Sequence, residues 1–150
     1  MNFSQREPSI TWSQDLAGST SATVYPTLAT NGVAIPGTGH ATNRVHIGVD
    51  YIVGSGTMSL TVGVYGLTTP KSALGTSDTW LGTSTWVYLG SLNGGSSITA
   101  DTQKWSQSAT RITLTEVFSV SGENYQRVAT RSIPGGTNPV VSTYVGFCVE

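Results

Sequence analysis

Cysteine, lysine, charge and helical periodicity are all scarce in this chain. Cys148 is the single cysteine among 150 residues, so no internal disulfide can staple the fold. It lies in the run Val145-Gly146-Phe147-Cys148-Val149, which predicts a buried, inert small hydrophobe. Charged residues are only 10% of the chain, with two Lys (Lys71, Lys104), five Arg and a net charge of −1. A phosphate-binding surface needs clustered cations, which argues against a nucleic-acid partner. No apolar run approaches the length of a membrane span. The opening Met1-Asn2-Phe3-Ser4-Gln5-Arg6-Glu7 has no apolar h-region, which predicts synthesis in a cytoplasm without an export address. No window carries apolar residues at i, i+3, i+4 and i+7, so helices are not expected.

Catalytic and metal-binding constellations are missing as well. His46 and Asp50 sit four residues apart, about 13 Å along a strand, too far to form a dyad or share a metal by themselves. His40 lies in the loop Ile35-Pro36-Gly37-Thr38-Gly39-His40 without a carboxylate nearby in sequence, and no His/Cys spacing resembles a zinc site. A nucleophile elbow, Gly-x-Ser-x-Gly, is absent, and Gly37-Thr38-Gly39 lacks the lysine and helix of a phosphate loop. The eight carboxylates, Glu7, Asp15, Asp50, Asp78, Asp101, Glu116, Glu123 and Glu150, are scattered. A glycosidase-type pair would have to be assembled by the fold. No enzyme, cofactor or metal is expected.

What is present is alternation. Val45, Ile47, Val49, Tyr51 and Val53 take every second position before Gly54-Ser55-Gly56, and Met58, Leu60, Val62 and Val64 do so after it. A period of two marks strands with one buried face. Read as a hairpin with Ser55-Gly56 as a two-residue loop, Val53 faces Met58, Tyr51 faces Leu60, Val49 faces Val62 and Ile47 faces Val64. Arg44, His46, Gly48 and Asp50 then share the polar face.

Further strands follow at sandwich-like spacing. Trp86-Val87-Tyr88-Leu89 ends at the Asn93-Gly94-Gly95 turn, with Trp86 expected in the core. Arg111 to Val120 turns at Ser121-Gly122-Glu123-Asn124 and returns from Tyr125 to Ile133. Its register is open: Phe118 opposite Val128 needs a three-residue loop, Ile112 opposite Ile133 an even one. The first is favoured because it sets Arg127 and Arg131 with Ser119 and Thr115 on a polar face. Val140 to Val149 is apolar on both faces, which predicts a central or subunit-covered strand. The echo Leu74-Gly75-Thr76-Ser77-Asp78-Thr79-Trp80, Leu81-Gly82-Thr83-Ser84-Thr85-Trp86 is too short for a repeat architecture. It is also compatible with coincidence in a chain holding 23 Thr and 19 Ser.

These features predict an all-β, single-domain antiparallel β-sandwich, jelly-roll-like, of roughly eight strands. Residues 1–25 read as an irregular N-terminal docking arm and 26–150 as the sandwich. The candidate partner-contact residues are Trp12, Trp80, Trp105, Arg127 and Arg131. Trp80 and Trp105 lie among Ser, Thr, Gln and Lys and suit partner contact, including stacking on sugar rings.

In its single domain, its few lysines and its Ser/Thr-rich strands, such as Thr110-Arg111-Ile112-Thr113-Leu114-Thr115, the chain resembles the small β-sandwich decoration, or cement, proteins of tailed-phage capsids. The resemblance is one of type and assigns no site residue. It implies a virion location, binding to a major capsid or other shell protein, reinforcement of joints between capsomers, and assembly as a homo-oligomer, often a trimer. The alternative is a carbohydrate-binding, lectin-like module or receptor-binding virion component with a glycan as partner. A small β-fold enzyme comes third.

Overall fold

In the computed structural model, residues 9–36, 44–69, 84–99, 110–120 and 125–149 are described. They form two four-stranded antiparallel sheets packed as a sandwich. The strands are β1 (Ser9–Ser19), β2 (Val33–Ala34), β3 (Arg44–Ile52), β4 (Leu60–Thr68), β5 (Trp86–Ser91), β6 (Arg111–Ser119), β7 (Tyr125–Pro134) and β8 (Val140–Val149). One sheet has the order β1-β8-β3-β6 and the other β2-β7-β4-β5. Every connection except β4–β5 passes from one sheet to the other.

The alternation assigns the inner faces as expected. Val45, Ile47, Val49, Tyr51 and Val53 are buried, as are Met58, Leu60, Val62 and Val64. They meet Leu92, Ile98, Ile112, Val128, Val141, Val145 and Phe147 in one core. A fully buried side chain of this size contributes about 1.5–3 kcal/mol.

The hairpin across Gly54-Ser55-Gly56 is not formed. β3 pairs with β8 and β6, whereas β4 pairs with β7 and β5. Val49 and Val62 therefore lie on the inner faces of opposite sheets and are not cross-strand neighbours. An alternating run specifies which face is dry; it does not say whether the next run lies beside it or opposite it. The segment after β3 crosses the end of the sandwich and pairs with the β7–β8 connection, Thr137 N–H donating to the Ser55 carbonyl at 2.8 Å. The buried Tyr51 ring secures this crossing. Its hydroxyl donates to the Gly135 carbonyl and accepts the Ser59 N–H at 3.1 Å.

The same correction applies to residues 111–133. β6 and β7 lie in different sheets, so neither proposed register exists: Phe118 is opposite Val45, and Val128 is opposite Gly66 and Val33. Arg127 and Arg131 do not share a face with Ser119 and Thr115. β8 is central between β1 and β3, as its two apolar faces predicted. Cys148 falls within β8, with its side chain outside the described residues.

The irregular arm expected over residues 1–25 is corrected over Ser9–Ser19, and residues 1–8 lie outside the described residues. Ser9–Ser19 is strand β1, antiparallel to β8 from Ser9↔Val149 to Ser19↔Val141, with irregularities around Leu16. Its Ser, Gln and Gly content hides the strand because β1 is an edge with an exposed side. Beyond it, Thr23 exchanges hydrogen bonds with Ser132, Thr23 N–H to the Ser132 carbonyl and Ser132 N–H to Thr23 Oγ1, both 2.9 Å. Since β2 covers only Val128 and Arg127, these residues satisfy backbone groups that β7 would otherwise leave open.

Candidate functional site

The outward face of the β1-β8-β3-β6 sheet carries an open recess of about 380 Å³, within the size range of small-molecule sites. The strand register builds it. Trp12 stands opposite Gly146, Gly146 opposite His46, Gly48 opposite Tyr144 and Thr115, and Asp50 opposite Ser142 and Thr113. Two glycines on neighbouring strands leave a floor of bare backbone, and the Trp12 indole lies down on it. A Cβ at Gly146 would come within 2.8 Å of the ring, and one at Gly48 within 3.2 Å. Trp12 nevertheless remains 41% exposed. His46 meets it edge-on, ring centroids 6.2 Å apart at 72°.

The far wall is polar. Arg111 grips Asp50 with two parallel bonds, Nε to Oδ1 and Nη2 to Oδ2, both 3.1 Å. This fork geometry fixes the carboxylate but is worth little stability at an exposed site. Thr113 and Thr115 complete that wall, and Tyr144 lies beside the floor. The Tyr144 hydroxyl accepts a long 3.4 Å bond from the Gln14 amide. The site thus joins an aromatic platform, a neutralised carboxylate–guanidinium pair and hydroxyl groups.

Of the described residues expected to meet a partner, only Trp12 is in this recess. Trp80 and Trp105 lie outside the described residues, as do His40 and the echo over 74–83. Arg127 points to its own chain: Nε donates to the Asn31 carbonyl at 2.7 Å, and Nη2 to those of Thr30 and Gly32 at 3.2 and 2.7 Å. Arg131 donates to the Thr23 carbonyl at 3.0 Å and stacks 4.1 Å from the Tyr25 ring centroid. Both arginines fasten residues 23–32 against β7. Trp86, expected in the core, is half-buried on edge strand β5 and donates to the Leu28 carbonyl at 3.1 Å.

The opposite outer face holds tyrosines. Tyr65 contacts Tyr25 and Tyr88, each with ring centroids 5.5 Å apart. Burial, reinforced by Tyr25, pushes the Tyr65 hydroxyl above its ordinary pKa. This cluster is folded over by the chain's own Tyr25 and Arg131. Among the described residues no three His, Cys, Asp or Glu side chains converge as a metal site, and no helix is long and apolar enough to cross a membrane.

One half-buried carboxylate joins the two sheets. Asp15, at the irregularity in β1, accepts Thr130 N–H at 2.7 Å and Thr130 Oγ1–H at 2.6 Å. Thr130 Oγ1 is also 2.6 Å from Thr143 Oγ1, and Thr143 Oγ1 accepts Leu16 N–H at 3.1 Å. Burial raises the Asp15 pKa above its ordinary 3.8, while the Thr130 bonds and the Arg127 charge pull it down. Asp15, Thr130 and Thr143 are structural ties between sheets.

The outward Gly48 and Gly146 were the sequence signal for the recess, because glycine inside a strand marks close approach of another group. Their pairing depends on which strands are neighbours, and the hairpin reading placed β3 beside the wrong one. No protein-family model matches this chain, and neither a curated protein nor a solved structure matches it significantly.

Proposed function

We propose that this chain is a virion structural protein, a decoration or cement tile that binds the outside of a capsid shell and reinforces joints between capsomers. The observation that carries the reading is the unguarded edge at β6. Arg111–Ser119 pairs on one side with β3 and has no strand on the other among the described residues. Natural sheets guard such edges with Lys, Pro or bulges; β6 contains neither residue, pairs without a register shift, and shows Val117 52% exposed. A second copy or a shell protein that adds to this edge satisfies its open backbone groups.

The strand order β1-β8-β3-β6 over β2-β7-β4-β5 supports the jelly-roll reading of the sandwich, an architecture used by viral capsid and lectin domains. Fold alone does not assign function, so the edge carries the argument. A head-to-tail contact through β6 closes into a ring if its rotation permits, and a trimer is the form we favour. Docking through residues 1–25 is not retained as the main contact, because the described part of that segment is bound within its own sandwich.

Sedimentation of the full chain and electron microscopy of virions labelled with antibody to it test the proposal. We expect a discrete trimer, label on shell exteriors, and loss of assembly in Val117→Lys but not in Val24→Lys. A monomer at every concentration together with unlabelled particles would overturn it. Carbohydrate binding is the second reading, favoured by the Trp12 recess.

A further inference from the structure

We propose that the recess beside Trp12 binds a neutral pyranose sugar, whose ring lies against the indole while its hydroxyls reach Asp50, Arg111, Thr113 and Thr115. This goes beyond shell binding and does not depend on it.

The chemistry selects the ligand class. A pyranose has an apolar C–H face and a rim of hydroxyls that both donate and accept. The Trp12 indole, seated on Gly48 and Gly146 and still 41% exposed, offers a rigid apolar surface whose burial is favourable. Opposite it, each Asp50 oxygen accepts one bond from Arg111. A carboxylate offers about four lone-pair sites, so acceptor capacity remains. Arg111 has donors beyond the two it uses and a side chain 52% exposed. Thr113 and Thr115 add hydroxyls on the same wall.

Other ligand classes fit less well. The Asp50–Arg111 pair cancels its own charge, so neither a phosphate nor a cation finds an excess of opposite sign. A peptide that binds by strand addition needs an open sheet edge. This recess instead lies on a sheet face, where β8 and β3 are paired on both sides.

The test is an NMR titration of the ¹⁵N-labelled full chain with lactose, cellobiose, maltose and N,N′-diacetylchitobiose. At least one should give saturable shifts at the Gly48, Thr113 and Thr115 amides and the Trp12 indole N–H, at the millimolar affinity common for single sites of this size. Trp12→Ala and Asp50→Asn should each weaken that binding at least about tenfold, while Trp12→Phe keeps part of it. Trp80→Ala should leave it intact. If Trp12→Ala fails to fold, Asp50→Asn, an isosteric change at a half-buried site, decides. No saturable shift with any of the four sugars would overturn the proposal, as would binding that survives Asp50→Asn or is abolished by Trp80→Ala. Sedimentation of the same variants separates this result from shell assembly, since neither Trp12→Ala nor Asp50→Asn should change the oligomer.

Discussion

The two lateral edges of the sandwich are built differently. At the β1/β2 edge, Asp15, Thr23, Arg127 and Arg131 tie residues between 15 and 32 to β7. At the β5/β6 edge Asn93 N–H donates to the Glu116 carboxylate at 2.7 Å, and among the described residues β6 has no strand on its outer side. The polar residues that look free for partners in the sequence, Arg127 and Arg131, are therefore engaged at the closed edge, and the two charges of β6, Arg111 and Glu116, are engaged by Asp50 and Asn93. Charge on an edge strand is no guide to where a partner binds unless the chain's own use of that charge is known.

Stripping the closed edge should have the largest effect. Deleting residues 2–20 removes β1 and the Asp15 tie, exposing β8 along its length; we expect loss of the cooperative thermal transition. If the truncated chain melts like the intact one, the closed edge is not part of the fold and a docking arm is the better account. A change in the core that both edges share ranks next. Val49→Asp should cost about 4 kcal/mol by burying an unpaired charge, and Thr61→Asp, directed away from the core, less than about 1. Equal losses in denaturant titrations would contradict the assignment of inner faces.

Smaller effects resolve the closed edge further. Asp15→Ala leaves the Thr130 N–H without its acceptor and should cost about 1–3 kcal/mol, whereas Asp15→Asn keeps an acceptor and costs less. The two forms should also differ in pH dependence. Because the folded Asp15 pKa lies above its ordinary 3.8, the folded state binds that proton more tightly than the unfolded chain. Its contribution to stability is then full below pH 3.8 and lost as pH rises through the raised value. The stability of the parent relative to Asp15→Asn should therefore fall with rising pH over that window; a rise would mean that hydrogen bonding outweighs burial. The smallest effect belongs to the open edge. Val117→Asp should shift stability by no more than about 0.5 kcal/mol, and a larger loss would show that β6 is covered within the monomer.

Much of the architecture was legible because burial on one side leaves a period of two. The inner residues of β3 and β4 follow from it, while the central place of β8 follows from its two apolar faces. Lateral neighbours were not legible, since Val45–Val53 and Met58–Val64 alternate alike whether paired or facing across a core. β1 was missed because Ser13, Gln14 and Ala17 on an exposed edge need no apolar pattern. The recess was half visible: Trp12, Gly48 and Asp50 can be read singly, but only the β1-β8-β3 order brings an indole from residue 12 onto glycines 48 and 146.

That same order has a consequence for synthesis. Gln14 and Tyr144 meet across β1 and β8, 130 positions apart in the chain, and β8 also supplies a neighbour for β3. On the ribosome, β1 and β3 must wait for β8 before their sheet can close. Contacts this distant slow folding, and the waiting strands expose edges able to pair with the wrong partner. Nascent copies emerging close together are thus at their most adhesive while β8 is still missing from the sheet, and the rate at which β8 inserts sets how many of them reach the sandwich.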